Sequence, residues 1–541
     1  MRRLTIIGII LLLAGTLHAA PRKVSRDVDR GIADGNVDVI VQFKEHPRAE
    51  QLEEMRGKGA ELKAELRSVR GALFSMPAAA LEGLSHNPNV RYISPDRSLN
   101  GVLDYSLAAV GAEYAEKYGF DGSGIGIAVI DSGVFAHDDL VDPATNRSKV
   151  RYSRSLIGGS SGADPFGHGT HVAGILAAQG SSHGVAPGAH LFDLRALNPA
   201  GAGTDSSVIA AIDMAILYKD KLNIRVINLS LSRGIFESYE LDPLCQAVEA
   251  AYEAGIVVVV SAGNSGRYDK DGRKGYGTIG SPGNDPYVIT VGAMNAMGTF
   301  GRTDDLIASY SSKGPTAIDH VIKPDLVAPG NKVVSLNSPG STLATNRPQK
   351  VVGGNRIEVS GTSMAAPVVA GAVALLLEQD PSLTPDQVKA RLMKTASKAF
   401  PTTSTATDPV TGDSYTSQYD IFTVGAGYVD IAAALNNSET SSGVALSPSA
   451  SYDPATGIVT LVHGNSLLWG DGVIWGDAVI WGDGVIWGDA VIWGDGVIWG
   501  DGVIWGDSVI WGDGVIWGDG VIWGDGVIWG DASDASADGD E

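Results

Sequence analysis

Four residues in this chain have the types and settings that acyl-transfer chemistry requires. Ser363 stands in Gly361-Thr362-Ser363-Met364-Ala365-Ala366-Pro367, just ahead of the apolar run Val368 to Leu377. A serine hydroxyl is a weak nucleophile; it needs a base within reach, an acid to orient that base, and donors for the developing oxyanion. The start of a helix adds free backbone N–H groups and a partial positive charge beside that oxyanion. His168, in Phe-Gly-His-Gly-Thr-His-Val-Ala-Gly, opens a helix of small residues and supplies a base. Asp131, in Ile-Ala-Val-Ile-Asp-Ser-Gly, supplies an acid at the end of an apolar strand, and Asn264, in Ser-Ala-Gly-Asn-Ser-Gly, supplies a side-chain amide donor. Taken singly, each has a plainer reading as a helix cap or a turn residue. His168 and His171 are three apart and both have zinc-binding side chains. The zinc-protease pattern, however, needs histidines four apart with a Glu between them, and no such Glu is present.

The elements around these residues are those that would place them at one edge of a sheet. Ile125 to Ile130, Val226 to Leu231 and Ile256 to Val260 are near-continuous apolar runs, as expected of parallel strands buried on both faces. Helical stretches, Ser206 to Leu217 and Pro243 to Ala254, lie between them. The expected fold of residues 105–435 is an α/β three-layer sandwich with a central parallel sheet, in which ligands bind at the carboxyl ends of the strands. Residues 21–104 alternate differently: strands at Val37 to Phe43, Gly71 to Met76 and Val90 to Ser94, a charged helix at Glu50 to Ser68 and a short one at Ala78 to Leu84, a small α+β ferredoxin-like pattern. Cys245 is the single cysteine, so no internal disulfide forms; its helical setting makes it a small core residue.

Together the four motifs resemble the subtilisin-like serine proteases, the subtilases, whose chain order is Asp, His, Ser. Gly184-Val185-Ala186-Pro187, Ile227-Asn228-Leu229-Ser230-Leu231, Ser281-Pro282-Gly283 and Lys323-Pro324-Asp325-Leu326-Val327-Ala328-Pro329-Gly330 add to the resemblance. It implies an endopeptidase acting on protein or peptide substrates. Ser363 would be the nucleophile, His168 the base, Asp131 its orienting acid, and Asn264 with the Ser363 N–H the oxyanion donors. His171 is left as a structural residue. The substrate pocket would be walled by Ser230, Leu231, Ser232 and by Ser261, Ala262, Gly263, with Gly280 at its base. None of these is acidic, which points to large apolar side chains before the cut rather than basic ones. Residues 21–104 would be a propeptide, a transient inhibitor removed by self-cleavage between about residues 96 and 110. The chemistry needs no cofactor, and no metal is assigned. Asp139 matches a family calcium ligand, but the loop Ala178 to Gly184 is short and poor in carboxylates, so a structural calcium stays unassigned. An insertion, Arg267 to Tyr276, carries Asp269 and Asp271 among basic residues and reads as a solvated loop. The alternatives are a catalytically silent adhesin or surface-binding protein on the same fold, and a maturation protease specific for basic sites.

Composition and the termini complete the picture. The 541 residues carry a formal net charge of -22, which argues against nucleic acid as a partner and favours solubility. Residues 1–20, with Arg2 and Arg3, an apolar run of about 14 residues and Ala19-Ala20, form a signal peptide too short to span a membrane, so a secreted protein is expected. Residues 436–464 read as a linker with a short strand near Ile458 to Val462. All eleven tryptophans lie from Trp469 to Trp529 in a six-residue Val-Ile-Trp-Gly-Asp-Gly repeat, residues 465–531. That period suggests a repetitive β or disordered tail that binds calcium or a cell surface. Residues 532–541 are acidic and expected to be disordered.

Overall fold

The computed structural model describes residues 23–24, 35–57, 59–66, 70–95, 109–159, 161–180, 183–269, 273–440, 443–453 and 458–462. The expected signal peptide, most of the cleavage window, Asp271 and the repeat tail lie outside them. The chain divides into two compact units, Met1–Gly101 and Val102–Glu541.

The first unit has the element order β-α-β-β-α-β: strands Asn36–Phe43, Glu61–Leu66, Gly71–Pro77 and Val90–Pro95, with helices Ala49–Gly57 and Ala80–Ser85. All its strand pairings are antiparallel. Val39, Val41 and Phe43 alternate inward from the first strand onto Leu52, Met55, Phe74, Met76, Leu81 and Leu84. The charged stretch Glu50 to Ser68, expected as one helix, is instead a helix ending at Gly57 and a strand from Glu61. Gly57 and Gly59 stand at the break, and two glycines so close raise the entropic cost of continuing a helix.

The second unit is built on an eight-stranded sheet. In chain order its strands are β1 (Gly126–Asp131), β2 (Val150–Ser155), β3 (His190–Arg195), β4 (Ile224–Leu229), β5 (Val257–Ser261), β6 (Ile289–Asn295), β7 (Leu306–Ile307) and β8 (Leu326–Pro329). In space they run β7-β6-β5-β4-β1-β3-β2, with β8 also on β6. All pairings are parallel except the two-residue edge strand β7. Successive side chains serve opposite layers. Ile127, Val129, Val257 and Val259 face one core, while Ala128, Ile130, Val258 and Val260 face the other. Helices His168–Ala177 and Thr362–Gln379 cover the first face, and Asp205–Tyr218 and Pro243–Glu253 the second. The apolar runs lack the hydrophobic/polar alternation of a one-sided sheet because both faces are covered. Among the described residues, the one helix long and apolar enough to cross a membrane is Thr362–Gln379, and it lies inside this core.

The expected linker is not free along its length. Ala445, Ser447 and Ala450 are buried, Ile322 N–H donates to Pro448 O at 2.8 Å, and Ala450 N–H donates to His320 O at 2.8 Å. The hairpin Ser449–Asp453 with Ile458–Val462 follows directly. The insertion after Asn264 is likewise tied down. Arg267 pairs with Asp408 at 2.6 Å, and Tyr276 donates to the half-buried Asp420 at 2.5 Å. Asp269 accepts from the backbone of Lys274 at 2.7 Å.

Candidate active site

β1, β4 and β5 are neighbours, so the chain segments leaving their carboxyl ends meet at one edge. Asp131 is the last residue of β1, Ser230 follows β4, and Ala262-Gly263-Asn264 follows β5. The helices that begin with His168 and with Thr362-Ser363 pack against each other on the same face.

The His168 helix starts sharply. Gly167, its N-cap, has φ 99, and a Cβ there would sit 2.4 Å from Ser341 Oγ, so only glycine fits. His168 Nδ1 lies 2.8 Å from Asp131 Oδ1 and 3.0 Å from Oδ2, with both side chains buried. Since Asp131 is an acceptor, Nδ1 carries the proton and Nε2 is the lone-pair nitrogen. Nε2 makes no hydrogen bond. Burial pulls the imidazole's pKa down, but the charge and hydrogen bond of Asp131, helped by Asp164, outweigh it and leave the net shift upward.

His171 has the opposite environment. Its Nε2 lies 3.1 Å from both Val333 O and Ile357 O, tying the helix to the strands Val333–Leu336 and Arg356–Val359. Burial, with His168 nearby, drives its pKa down to about 3, so it is neutral.

The Ser363 helix begins Thr362, Ser363, Met364 and contains Pro367. Proline has no N–H, so the Ser363 carbonyl loses its normal i+4 donor. Ser230 Oγ takes that place, donating to Ser363 O at 2.8 Å, while Ser363 Oγ donates to Ser230 O at 3.2 Å. Ser230, expected only as pocket wall, is therefore also bound to the backbone of Ser363. Ser363 N–H belongs to the first turn, whose N–H groups have no intrahelical acceptor. Asn264 is oriented by Thr362: its Oδ1 accepts from Thr362 N–H at 2.9 Å and Thr362 Oγ1 at 3.1 Å. With the oxygen held, the amide's NH2 is its donor end. Thr362 Oγ1 also accepts from Gly263 N–H at 3.1 Å.

The residues expected to line the substrate pocket follow the adjacent strands β4 and β5. Leu231 and Ser232 are half-exposed, whereas Ser230, Ser261, Ala262 and Gly263 are buried. Ser261 Oγ donates to Leu231 O at 3.4 Å, and Gly280 N–H donates to Ala262 O at 3.2 Å. A Cβ on Gly280 would lie 2.8 Å from Arg233 O and 2.9 Å from Ser232 Cβ, so glycine is what permits this approach. The nearby carboxylates of Asp205 and Asp242 are both engaged by Arg233, at 2.8 and 2.7 Å.

Sequence reasoning missed Asp164, Thr362 and the second role of Ser230. Asp164 lies three residues before the N-cap Gly167, outside the position a capping side chain normally takes, so no local signal marked it. At the far end of the His168 helix, the buried Lys149 ammonium bonds to Ala177 O at 3.1 Å, Gln179 Oε1 at 2.9 Å and Pro187 O. These acceptors therefore serve a side-chain cation, and they do not fit a calcium ion. Asp139 nearby is buried, with its backbone carbonyl taken by Gln179 N–H at 2.8 Å. No group of three or more His, Cys, Asp or Glu that could hold a metal occurs among the described residues.

An Asp-His pair and a serine on a helix start, at the carboxyl edge of a parallel sheet, are the parts that a hydrolase of the serine-nucleophile class needs. Comparison with known proteins narrows it: the Subtilase family profile matches residues 122–427, and the chain belongs to that family. It is 35% identical over 371 residues to serine protease AprX of Bacillus subtilis (strain 168), covering 65% of this chain and 81% of that protein. It is 33% identical over 348 residues to subtilisin E of the same strain (63% and 78% covered). It is 34% identical over 337 residues to an extracellular serine proteinase of a Thermus species (60% and 70% covered). The protein is a subtilisin-like serine endopeptidase.

Proposed function

We propose that the protein is a secreted, self-processing endopeptidase that cleaves peptide bonds through an acyl-enzyme on Ser363. His168 Nε2 takes the Ser363 proton and returns it to the leaving amine. Asp131 holds the imidazole and stabilises its cation, and the Asn264 amide with the Ser363 N–H binds the oxyanion. The observation that carries this reading is the His168 ring: its Nδ1 is held by both oxygens of Asp131 and its Nε2 is left unpaired. Large apolar side chains bind before the cut, because no pocket residue is acidic and the nearby Asp205 and Asp242 are paired with Arg233. Burying such a side chain contributes about 1.5–3 kcal/mol. A peptide library dominated by Arg or Lys before the cut would contradict this specificity.

Residues 21–104 act as a propeptide, a reading supported by a small β-α-β-β-α-β unit preceding a protease unit. The tryptophan repeat docks the enzyme on a cell surface or insoluble substrate, ordered by calcium between its aspartates; residues 1–20 direct secretion. Ser363→Ala, expressed in a host lacking other proteases, should accumulate as a precursor that keeps residues from about 21 onward. Normal maturation of that variant would refute self-processing. Every tryptophan lies in the tail, so tryptophan emission of the full chain reports tail order directly; emission that stays flat from chelator to millimolar calcium would refute calcium ordering.

A further inference from the structure

Asp164 takes none of the roles above, yet its carboxylate touches both segments that carry the Asp131–His168 pair. Oδ1 accepts from Ser132 Oγ at 2.8 Å and from Gly167 N–H at 2.7 Å. Oδ2 accepts from Thr170 N–H at 2.8 Å and from Thr170 Oγ1 at 2.6 Å. Gly167 and Thr170 belong to the start of the His168 helix, whereas Ser132 is the residue directly after Asp131. Ser132 closes the circuit: its N–H donates to Asp131 Oδ1 at 2.7 Å and its Oγ accepts from Gly169 N–H at 3.0 Å. Asp164 is 3% exposed. A helix cap needs only a side-chain oxygen on one or two first-turn N–H groups. The link to Ser132 is more than capping requires, and it is the link that reaches Asp131.

Resting on the triad reading, we propose that Asp164 is a positioning residue for the reaction. It clamps the Asp131 loop to the His168 helix, so that carboxylate and imidazole keep one relative geometry through turnover. Its negative charge also favours the imidazolium that forms when Ser363 is deprotonated. A misplacement of about 1 Å in such a pair costs about 10²-fold in rate, so a rigid clamp between the two segments has a direct catalytic return. The other titratable and charged groups around this network are few. His171, one turn along the helix, stays neutral, since burial holds its pKa at about 3. Asp193 on β3 bonds Ser153 at 2.5 Å and is pushed up to about 7 by burial, with Asp164 and Asp131 adding to the rise. Arg195, also on β3, directs its Nε to Leu197 O at 3.4 Å.

Two variants separate clamp from charge. Asp164→Asn keeps the shape but puts an NH2 where two donors now point, and it removes the charge. Ser132→Ala keeps the charge and breaks only the link between loop and helix. Both are assayed as full chain with a chromogenic peptide, with active sites counted by fluorophosphonate titration. Asp164→Asn should lower kcat by about tenfold or more with little change in KM. The acid limb of its kcat/KM profile should also move to lower pH, because an imidazolium without that neighbour gives up its proton more readily. Ser132→Ala should lower kcat without moving the limb. Wild-type kcat and an unmoved acid limb in folded Asp164→Asn overturn the proposal, even if its melting temperature falls. Should Asp164→Asn fail to fold, wild-type kcat in Ser132→Ala overturns it instead. Asp131→Asn is the control. If it keeps wild-type turnover, the triad reading itself is wrong; if it is inactive while Asp164→Asn is normal, only the Asp164 proposal is lost.

Discussion

Ser447 lies in the stretch whose sequence reads as a linker, yet it completes a buried charge network, and replacing it should destabilise the whole catalytic unit. Lys323, Asp325 and Lys389 are 0%, 1% and 2% exposed. Two ammonium groups thus share one carboxylate: Lys323 Nζ is 2.7 Å and Lys389 Nζ 3.4 Å from Asp325. Burial is costly enough to pull the Lys389 pKa down to about 7, despite Asp325. Ser447 Oγ donates to Asp325 Oδ1 at 2.5 Å and accepts from Lys389 Nζ at 2.8 Å. Ser447→Ala removes two hydrogen bonds to charged groups, each worth about 1.5–3 kcal/mol. Lys389 keeps Pro286 O at 2.7 Å and Val288 O at 2.9 Å, which places the net loss toward the low end. A total of about 3–4 kcal/mol corresponds to about 6–8 °C, at about 2 °C per kcal/mol for a unit of this size. The assay is thermal unfolding at fixed scan rate in a Ser363→Ala background, where autolysis cannot consume unfolded chains. A melting temperature within about 1 °C of the parent would refute the reasoning, since a dispensable linker predicts no change.

Ser230→Ala should leave the Ser363 carbonyl without its donor opposite Pro367, lowering kcat by about tenfold, the equivalent of one net hydrogen bond, with KM little changed; steady-state kinetics on a peptide substrate check this. Acid stability should be governed in part by His171. Its folded pKa of about 3 lies below the unfolded value of about 6.5, so the unfolded state binds the proton more tightly. Stability is therefore complete above about pH 6.5 and declines as pH falls toward 3, by at most about 1.4 kcal/mol per pH unit. Urea midpoints at successive pH values should show this slope, and His171→Gln, whose amide nitrogen stands where Nε2 does and can still donate to Val333 O and Ile357 O, should flatten it.

What the sequence makes legible here is what local pattern encodes. The Val- and Ile-rich runs of β1, β4 and β5 announce strands buried on both faces, and Asp131, His168 and Ser363, each with a glycine within two residues, sit at element ends where side chains can converge. Cys245 is also as its setting implies, fully buried in the helix Pro243–Glu253. What the sequence hides is polar satisfaction across distance. The Ser230–Ser363 exchange spans 133 residues and Ser447–Asp325 spans 122, and nothing local to either serine specifies its partner. The same holds for Lys149, an unremarkable lysine in sequence whose ammonium is buried among carbonyls. The misread helix at Glu50 to Ser68 has the opposite cause: its charge pattern suits helix on both sides of Gly57-Lys58-Gly59, but strand pairing with Gly71–Pro77 decides the second half.

The most direct test of the central claim is fluorophosphonate labelling of the full-length enzyme, with the modified residue located by peptide mass spectrometry. A nucleophile activated by the Asp131–His168 pair predicts a single label on Ser363, abolished in His168→Ala and strongly slowed in Asp131→Asn. Labelling at another residue, or labelling of Ser363 at the wild-type rate in His168→Ala, would contradict it.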